Sequence, residues 1–192
     1  MSALERTGFN VSLASELRSW EGTGTPTLQE SIRNEAVAVA EKLIQRYRDM
    51  PIQQRPHAWF TYHLYHKAPD WIGPLVCGSL RIPYFLAEAS IGLKQAGGPW
   101  DLGYQSSIAS IRLANAIFSV NPVDTEGLRI LLGNDSKLTL MRPFLDAETV
   151  AESDRIKFRN GIAAKLKIDP DKYWLLSVAM MRNDSKLKSY EL

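Results

Sequence analysis

Along residues 27–50 the apolar positions Leu28, Ile32, Val39, Leu43, Ile44 and Tyr47 recur close to every 3.6 residues, with charged and amide side chains between them. That spacing predicts an amphipathic helix, which Pro51 would stop. The run Trp59-Phe-Thr-Tyr-His63 is rich in aromatic and β-branched types and predicts a strand. Further strands are expected over 82–87, 116–120 and 137–141, with helices over 69–80, 104–113 and 122–132 between them. Pro69 suits a first helical turn, Asn121-Pro122 an N-cap, and Gly133 a stop. Upstream, 2–7 reads as a helix ended by Gly8, 9–14 as a strand, and the polar, Gly-rich 15–26 as a loop. Downstream, 151–167 reads as a charged helix, and 174–178 as a strand after a Pro-containing turn.

Alternating strands and helices predict an α/β fold, a Rossmann-like parallel sheet with helices on both faces. Right-handed crossovers then bring the functional loops to the carboxyl ends of the strands. The strand at 174 follows a linker, so residues 1–146 are expected to form one domain, 147–171 a linker and helix, and 172–192 the first strand and turn of a second Rossmann-like domain. Such a sheet usually opens on a strand, and this chain opens on a helix and stops one turn into another. The first domain is therefore expected to lack its first strand, and the second to be truncated.

Composition changes this picture little. Of 192 residues 45% are hydrophobic and 23% charged, and the net charge is +2. No concentrated basic stripe marks a nucleic-acid partner, and the cations of 155–167 alternate with apolar residues as on a solvated helix face. Cys77 is the only cysteine, which excludes an internal disulfide. Its apolar surroundings suit a small buried side chain better than a catalytic thiolate. No run of about 18 apolar residues occurs and the N-terminus lacks a signal-peptide core, so the cytoplasm is the expected location.

Candidate chemistry collects where strands end. After the apolar run at 174–181 come Arg182, Ser185 and Lys186. A strand, a turn and a helix start form a natural phosphate cradle, and two cations four residues apart can neutralise a diphosphate. A solvated turn is the alternative. His63, His66, Lys67 and Asp70 follow another strand; they could bind or deprotonate a hydroxyl, or cap the helix expected at Pro69. Glu88 ends a third strand, as an acceptor-side carboxylate or a charge satisfied by the next helix. Trp100, behind Gly97-Gly98-Pro99, could stack on a sugar from a mobile cleft loop or pack beneath the domain. Trp59, Tyr62, Tyr65 and Trp71 are expected in the core, and His57 in solvent.

Taken in order, Trp59-Phe-Thr-Tyr-His-Leu-Tyr-His-Lys-Ala-Pro-Asp-Trp-Ile-Gly-Pro74, Ile82-Pro-Tyr-Phe-Leu-Ala-Glu-Ala-Ser90, Gly97-Gly-Pro-Trp100, Asn121-Pro-Val-Asp-Thr-Glu-Gly-Leu128, Pro143-Phe-Leu-Asp146 and the Arg182/Lys186 turn resemble the glycosyltransferases of family 4. These are retaining nucleotide-sugar enzymes of GT-B fold, with two Rossmann-like domains facing across a cleft. The resemblance runs from about Gly8 to Leu192. It implies transfer of a sugar from a nucleotide diphosphate-sugar to a carbohydrate or lipid-linked acceptor, the latter with peripheral membrane contact. Arg182 and Lys186 match the family's donor-phosphate pair. Many relatives carry a His just after the strand ending here at Ala87. This chain has Glu88-Ala-Ser90 instead, so Glu88 or Ser90 would take that role, with His63 and His66 as further catalytic candidates and Lys67 and Trp100 on the acceptor side.

No metal and no cofactor is expected, because cations can stabilise a leaving diphosphate. Most of the donor-binding domain would be missing, or carried by a separate chain, and this chain alone is expected to bind donor weakly and turn over little. The rival readings are a non-catalytic α/β partner-binding subunit, an inactive remnant of a longer gene, and a small α/β enzyme acting on a phosphorylated metabolite.

Overall fold

The structure, a computed structural model, describes residues 2–142 and 152–175. The chain divides into two compact units, Met1–Phe144 and Leu145–Leu192. In the first, the helices are α1 (Ser2–Arg6), α2 (Pro26–Asp49), α3 (Gly73–Leu80), α4 (Asp101–Leu113) and α5 (Pro122–Leu132). The strands are β1 (Trp59–Tyr62), β2 (Tyr84–Ala87), β3 (Ala116–Ser119) and β4 (Leu138–Leu140). The strands form one sheet in the order β1-β2-β3-β4, and every pairing is parallel. The fold is α/β and Rossmann-like.

Local chemistry sets the helix ends. Asn121 caps α5, its side-chain oxygen accepting from the Val123 N–H at 3.0 Å. Gly133 closes the helix at φ 73°, its N–H donating to the Arg129 carbonyl. α3 begins four residues later than Pro69 suggests, because the Asp70 carboxylate takes the N–H groups of Ile72 and Gly73 and fixes the first turn there. α2 buries Ala36, Ala40, Leu43 and Tyr47 as one stripe, and Leu28 lies off it in solvent.

One expectation changes. Residues 9–14 form no strand, and Phe9 and Leu13 are exposed. A strand is stabilised by a ladder partner, and none of the described strands pairs with this segment. The crossover helices α3, α4 and α5 pack on one face of the sheet. Strands added one after another in the same direction through right-handed crossovers place their crossover helices on the same side. Accordingly Cys77 of α3, Tyr104 and Ile111 of α4 and Leu128 of α5 share one core with Leu86 and Ile117 of the sheet. α2 packs outside them, against Trp71, Ile72 and Val76. The opposite face carries Phe60 and Tyr62, 41% and 66% exposed, with Phe85 and Phe118 in register beside them.

In the second unit α6 (Glu152–Leu166) buries Ala163, and Arg159 reaches the carbonyl of Pro170 and lies over the Trp174 ring. Of the strand expected over 174–178, residues 176–178 lie outside the described residues. No described helix is long and apolar enough to cross a membrane.

Candidate functional site

The carboxyl edge of β1 and β2 is built by two matching kinks. Strand alternation points Trp59 and Thr61 to the helices and Phe60 and Tyr62 away from them; continued, it would send His63 inward. His63 instead adopts the left-handed region at φ 64°, and Leu64 takes the core position, 1% exposed. In β2, Glu88 adopts φ 55° and Ala89 goes inward, also 1% exposed. Each kink costs about 1–2 kcal/mol for a residue with a side chain. Backbone bonds across the strands offset that cost: His63 N–H donates to Ala87, Glu88 N–H to Phe118 and Ser90 N–H to Leu64, each at 2.9 Å.

The kinks bring His63 and Glu88 together, with Nδ1 3.2 Å from Oε2. The Tyr62 hydroxyl donates to the same carboxylate and is the main reason its pKa lies below the ordinary 4.5. Partial burial opposes the shift and His63 adds to it. The Tyr62 phenol is pushed up in return, by that hydrogen bond first and by burial second. Glu88 is therefore ionised at neutral pH.

From this pair a file of rings follows the edge. His63 meets Tyr65 at 5.2 Å between centroids, Tyr65 meets His66 at 5.4 Å, and His66 meets Trp100 at 5.9 Å. The Lys67 ammonium stands 3.9 Å from the centre of the Trp100 ring. The 65–68 turn that carries His66 and Lys67 is fixed from three sides. Tyr65 and Ala68 exchange backbone bonds, and Glu21 N–H donates to the Lys67 carbonyl at 2.8 Å. Beneath it Gly103 of α4 passes so close that a Cβ would stand 2.1 Å from the His66 carbonyl oxygen. Burial and the Lys67 charge lower the His66 pKa below its ordinary 6.5.

The loop before α4 is fastened rather than mobile. Gln29 donates to the Pro99 carbonyl at 2.8 Å, Trp100 Nε1 donates to the Glu21 carbonyl at 2.9 Å, and Gly97 N–H donates to Asp101. Glu21 is buried, and burial alone would raise its pKa. Hydrogen bonds from the Thr23 side chain and from the backbone of Thr23, Gly24 and Thr25 outweigh that and lower it, so a charged carboxylate shapes the 21–25 turn whose Glu21 carbonyl receives Trp100.

The structure thus places Glu88, His63, His66, Lys67 and Trp100 along one edge, with Ser90 tied to it through its backbone. Arg182 and Lys186 lie outside the described residues. Tyr62, expected in the core, stands in solvent on Glu88; the alternation Trp-Phe-Thr-Tyr, which sets Tyr62 opposite Trp59, was the signal. Tyr65 is half-buried in the ring file, Trp59 and Trp71 serve the core, and His57 is exposed. Asp70 belongs to the scaffold. The Cys77 thiol is buried and pushed up to about 12, chiefly by burial, and is inert as a nucleophile. Asp169-Pro170-Asp171 has Asp-x-Asp spacing, but Asp169 accepts the Asp171 N–H in a turn, and among the described residues no group of three or more His, Cys, Asp or Glu is placed to hold a metal. Compared with known proteins, the chain matches no family model and no curated protein.

The His66 shift gives a testable pH dependence. Its folded pKa is depressed, so its contribution to stability is full above about pH 6.5 and declines as pH falls through that value, where the unfolded chain binds the extra proton. Glu21 and Glu88 act in the same direction but only below about pH 4.5. Urea midpoints measured at descending pH should begin to fall below about pH 6.5 in the wild type, and His66→Phe should flatten the first part of that fall. An unchanged slope in the variant would assign the loss elsewhere.

Proposed function

We propose that the chain is the acceptor-side domain of a retaining glycosyltransferase, acting on a nucleotide diphosphate-sugar and a hydroxyl of a carbohydrate or lipid-linked acceptor. The supporting observation is Glu88, an ionised carboxylate held by Tyr62 and His63 on a kinked edge where parallel sheets take their ligands. In the transfer, a bond forms from the acceptor oxygen to the anomeric carbon. The bond from that carbon to the diphosphate oxygen breaks, and the leaving group carries off the electron pair. The acceptor proton passes to the released phosphate oxygen. Glu88 accepts the hydrogen bond of the attacking hydroxyl and so aims it, while its charge favours the oxocarbenium-like centre. On the family resemblance, Arg182 and Lys186 take the charge that builds on the diphosphate.

The test is titration calorimetry and single-turnover transfer with a panel of nucleotide diphosphate-sugars and saccharide or lipid-linked acceptors. Enzyme in excess over labelled donor reads slow rates. Donor binding, acceptor-dependent nucleotide release and a retained anomeric configuration are expected. Arg182→Ala combined with Lys186→Ala should lower transfer by about 100-fold or more. A cooperatively folded chain that binds no donor and transfers no sugar overturns the reading. One observation favours a second reading, a non-catalytic partner-binding module: the aromatic sheet face bearing Phe60 and Tyr62 is open to solvent. That reading expects neither donor binding nor transfer.

A further inference from the structure

Resting on the glycosyl-transfer reading, we infer that the acceptor received at this edge is an acidic saccharide, its carboxylate or phosphate paired with Lys67 beside Trp100 while its hydroxyls face Glu88 and His63. The edge is bipolar. One end carries the Glu88 carboxylate and the other the Lys67 ammonium, and the ring file His63, Tyr65, His66 and Trp100 joins them.

Lys67 is set apart by its place over the Trp100 ring, and like most cations of the described chain it has no carboxylate partner. Arg129 and Arg155 each lie against carboxylates, whereas none among the described residues lies within ion-pair distance of Lys67. It is half-buried, and its backbone is fixed by the turn, by the Glu21 N–H and by the close passage of Gly103 beneath His66. An ammonium laid on an indole face has shed water on that side and keeps its other N–H donors for an anion. Glu88 repels an anion at the opposite end, so the two charges fix which way round the ligand lies. His66, between them, is held towards its neutral form, and its ring nitrogens can serve hydroxyls without adding a second positive charge.

The test is an NMR and calorimetric titration of the full chain with four probes: a disaccharide ending in a uronic acid, its neutral counterpart, the same sugar as a phosphate ester, and inorganic phosphate. At least one acidic saccharide should bind about tenfold tighter than the neutral one and should shift the Trp100 indole N–H. Lys67→Met should reduce that affinity to the neutral level, and Lys67→Arg should keep it. Raising salt from about 50 to 500 mM should narrow the gap, because an exposed ion pair is screened. The two acidic probes distinguish carboxylate from phosphate recognition. Equal affinity for acidic and neutral sugars, a preference that survives in Lys67→Met, or inorganic phosphate binding as tightly as the sugar phosphate would each overturn the inference. The neutral disaccharide separates the two levels. If its binding persists and is lost in Glu88→Gln, the acceptor reading stands even where the acidic preference fails.

Discussion

Asp70→Ala should lower the unfolding free energy by about 3–5 kcal/mol, close to the whole stability of a marginal domain. No other described side chain ties so many elements together. Its carboxylate accepts the N–H groups of Ile72 and Gly73 at 2.9 and 2.7 Å, the Thr61 hydroxyl at 2.5 Å and the Tyr84 hydroxyl at 2.8 Å. Thr61 in turn accepts from Trp59 Nε1 at 3.0 Å. One residue therefore joins β1, β2 and the start of α3. Alanine would leave the α3 cap open, worth about 1 kcal/mol. It would also strand the hydroxyl of Tyr84, which is 1% exposed, and a buried unpaired donor costs about 1–3 kcal/mol. Loss of the Thr61 bond brings the total into the expected range. Urea unfolding followed by tryptophan fluorescence and circular dichroism would measure it. Adding Tyr84→Phe to Asp70→Ala removes the stranded hydroxyl and should recover about 1–2 kcal/mol. A single-variant loss below about 1 kcal/mol would mean that water serves these donors and that the hub is not structural.

Much of this fold was legible from residue chemistry. The stripe of α2, the Asn121 and Gly133 punctuation of α5 and the four strands of the sheet follow from periodicity and turn residues, which act locally. What escaped were features set by tertiary contact. Residues 9–14 have strand-like composition, but composition names no ladder partner. Pro69 is a plausible helix start, but the Asp70 carboxylate, aimed by Thr61 and Tyr84 from two strands, sets the start at Gly73. The packing of α3, α4 and α5 on one face follows from strand order, which no single segment contains. The site divides in the same way. Position after a strand pointed to His63, Glu88 and His66, whereas the two left-handed kinks that turn His63 and Glu88 towards each other, and the role of Tyr62, depend on neighbouring strands in register.

Glu88→Gln is expected to reduce single-turnover sugar transfer by about 100- to 1,000-fold while leaving donor affinity unchanged. Glutamine keeps the size and nearly the shape of the side chain and still accepts from Tyr62 through its amide oxygen. What it loses is the negative charge and the second carboxylate oxygen, so the edge should persist and the aim and charge at the reacting centre should not. Tyr62→Phe provides an independent check. The Tyr62 hydrogen bond is the largest cause of the lowered Glu88 pKa, so removing it should raise that pKa. The acid limb of the transfer rate, where protonation silences Glu88, should then move to higher pH, while the rate at neutral pH falls by about tenfold or less. A merely structural Tyr62 would change stability and leave the limb in place. If Glu88→Gln stays within about threefold of wild type in a folded protein, the carboxylate does not act in the transfer and the edge has another use. If Glu88→Gln is inactive but Tyr62→Phe leaves the acid limb unmoved, Glu88 acts in the transfer and a different group sets that limb.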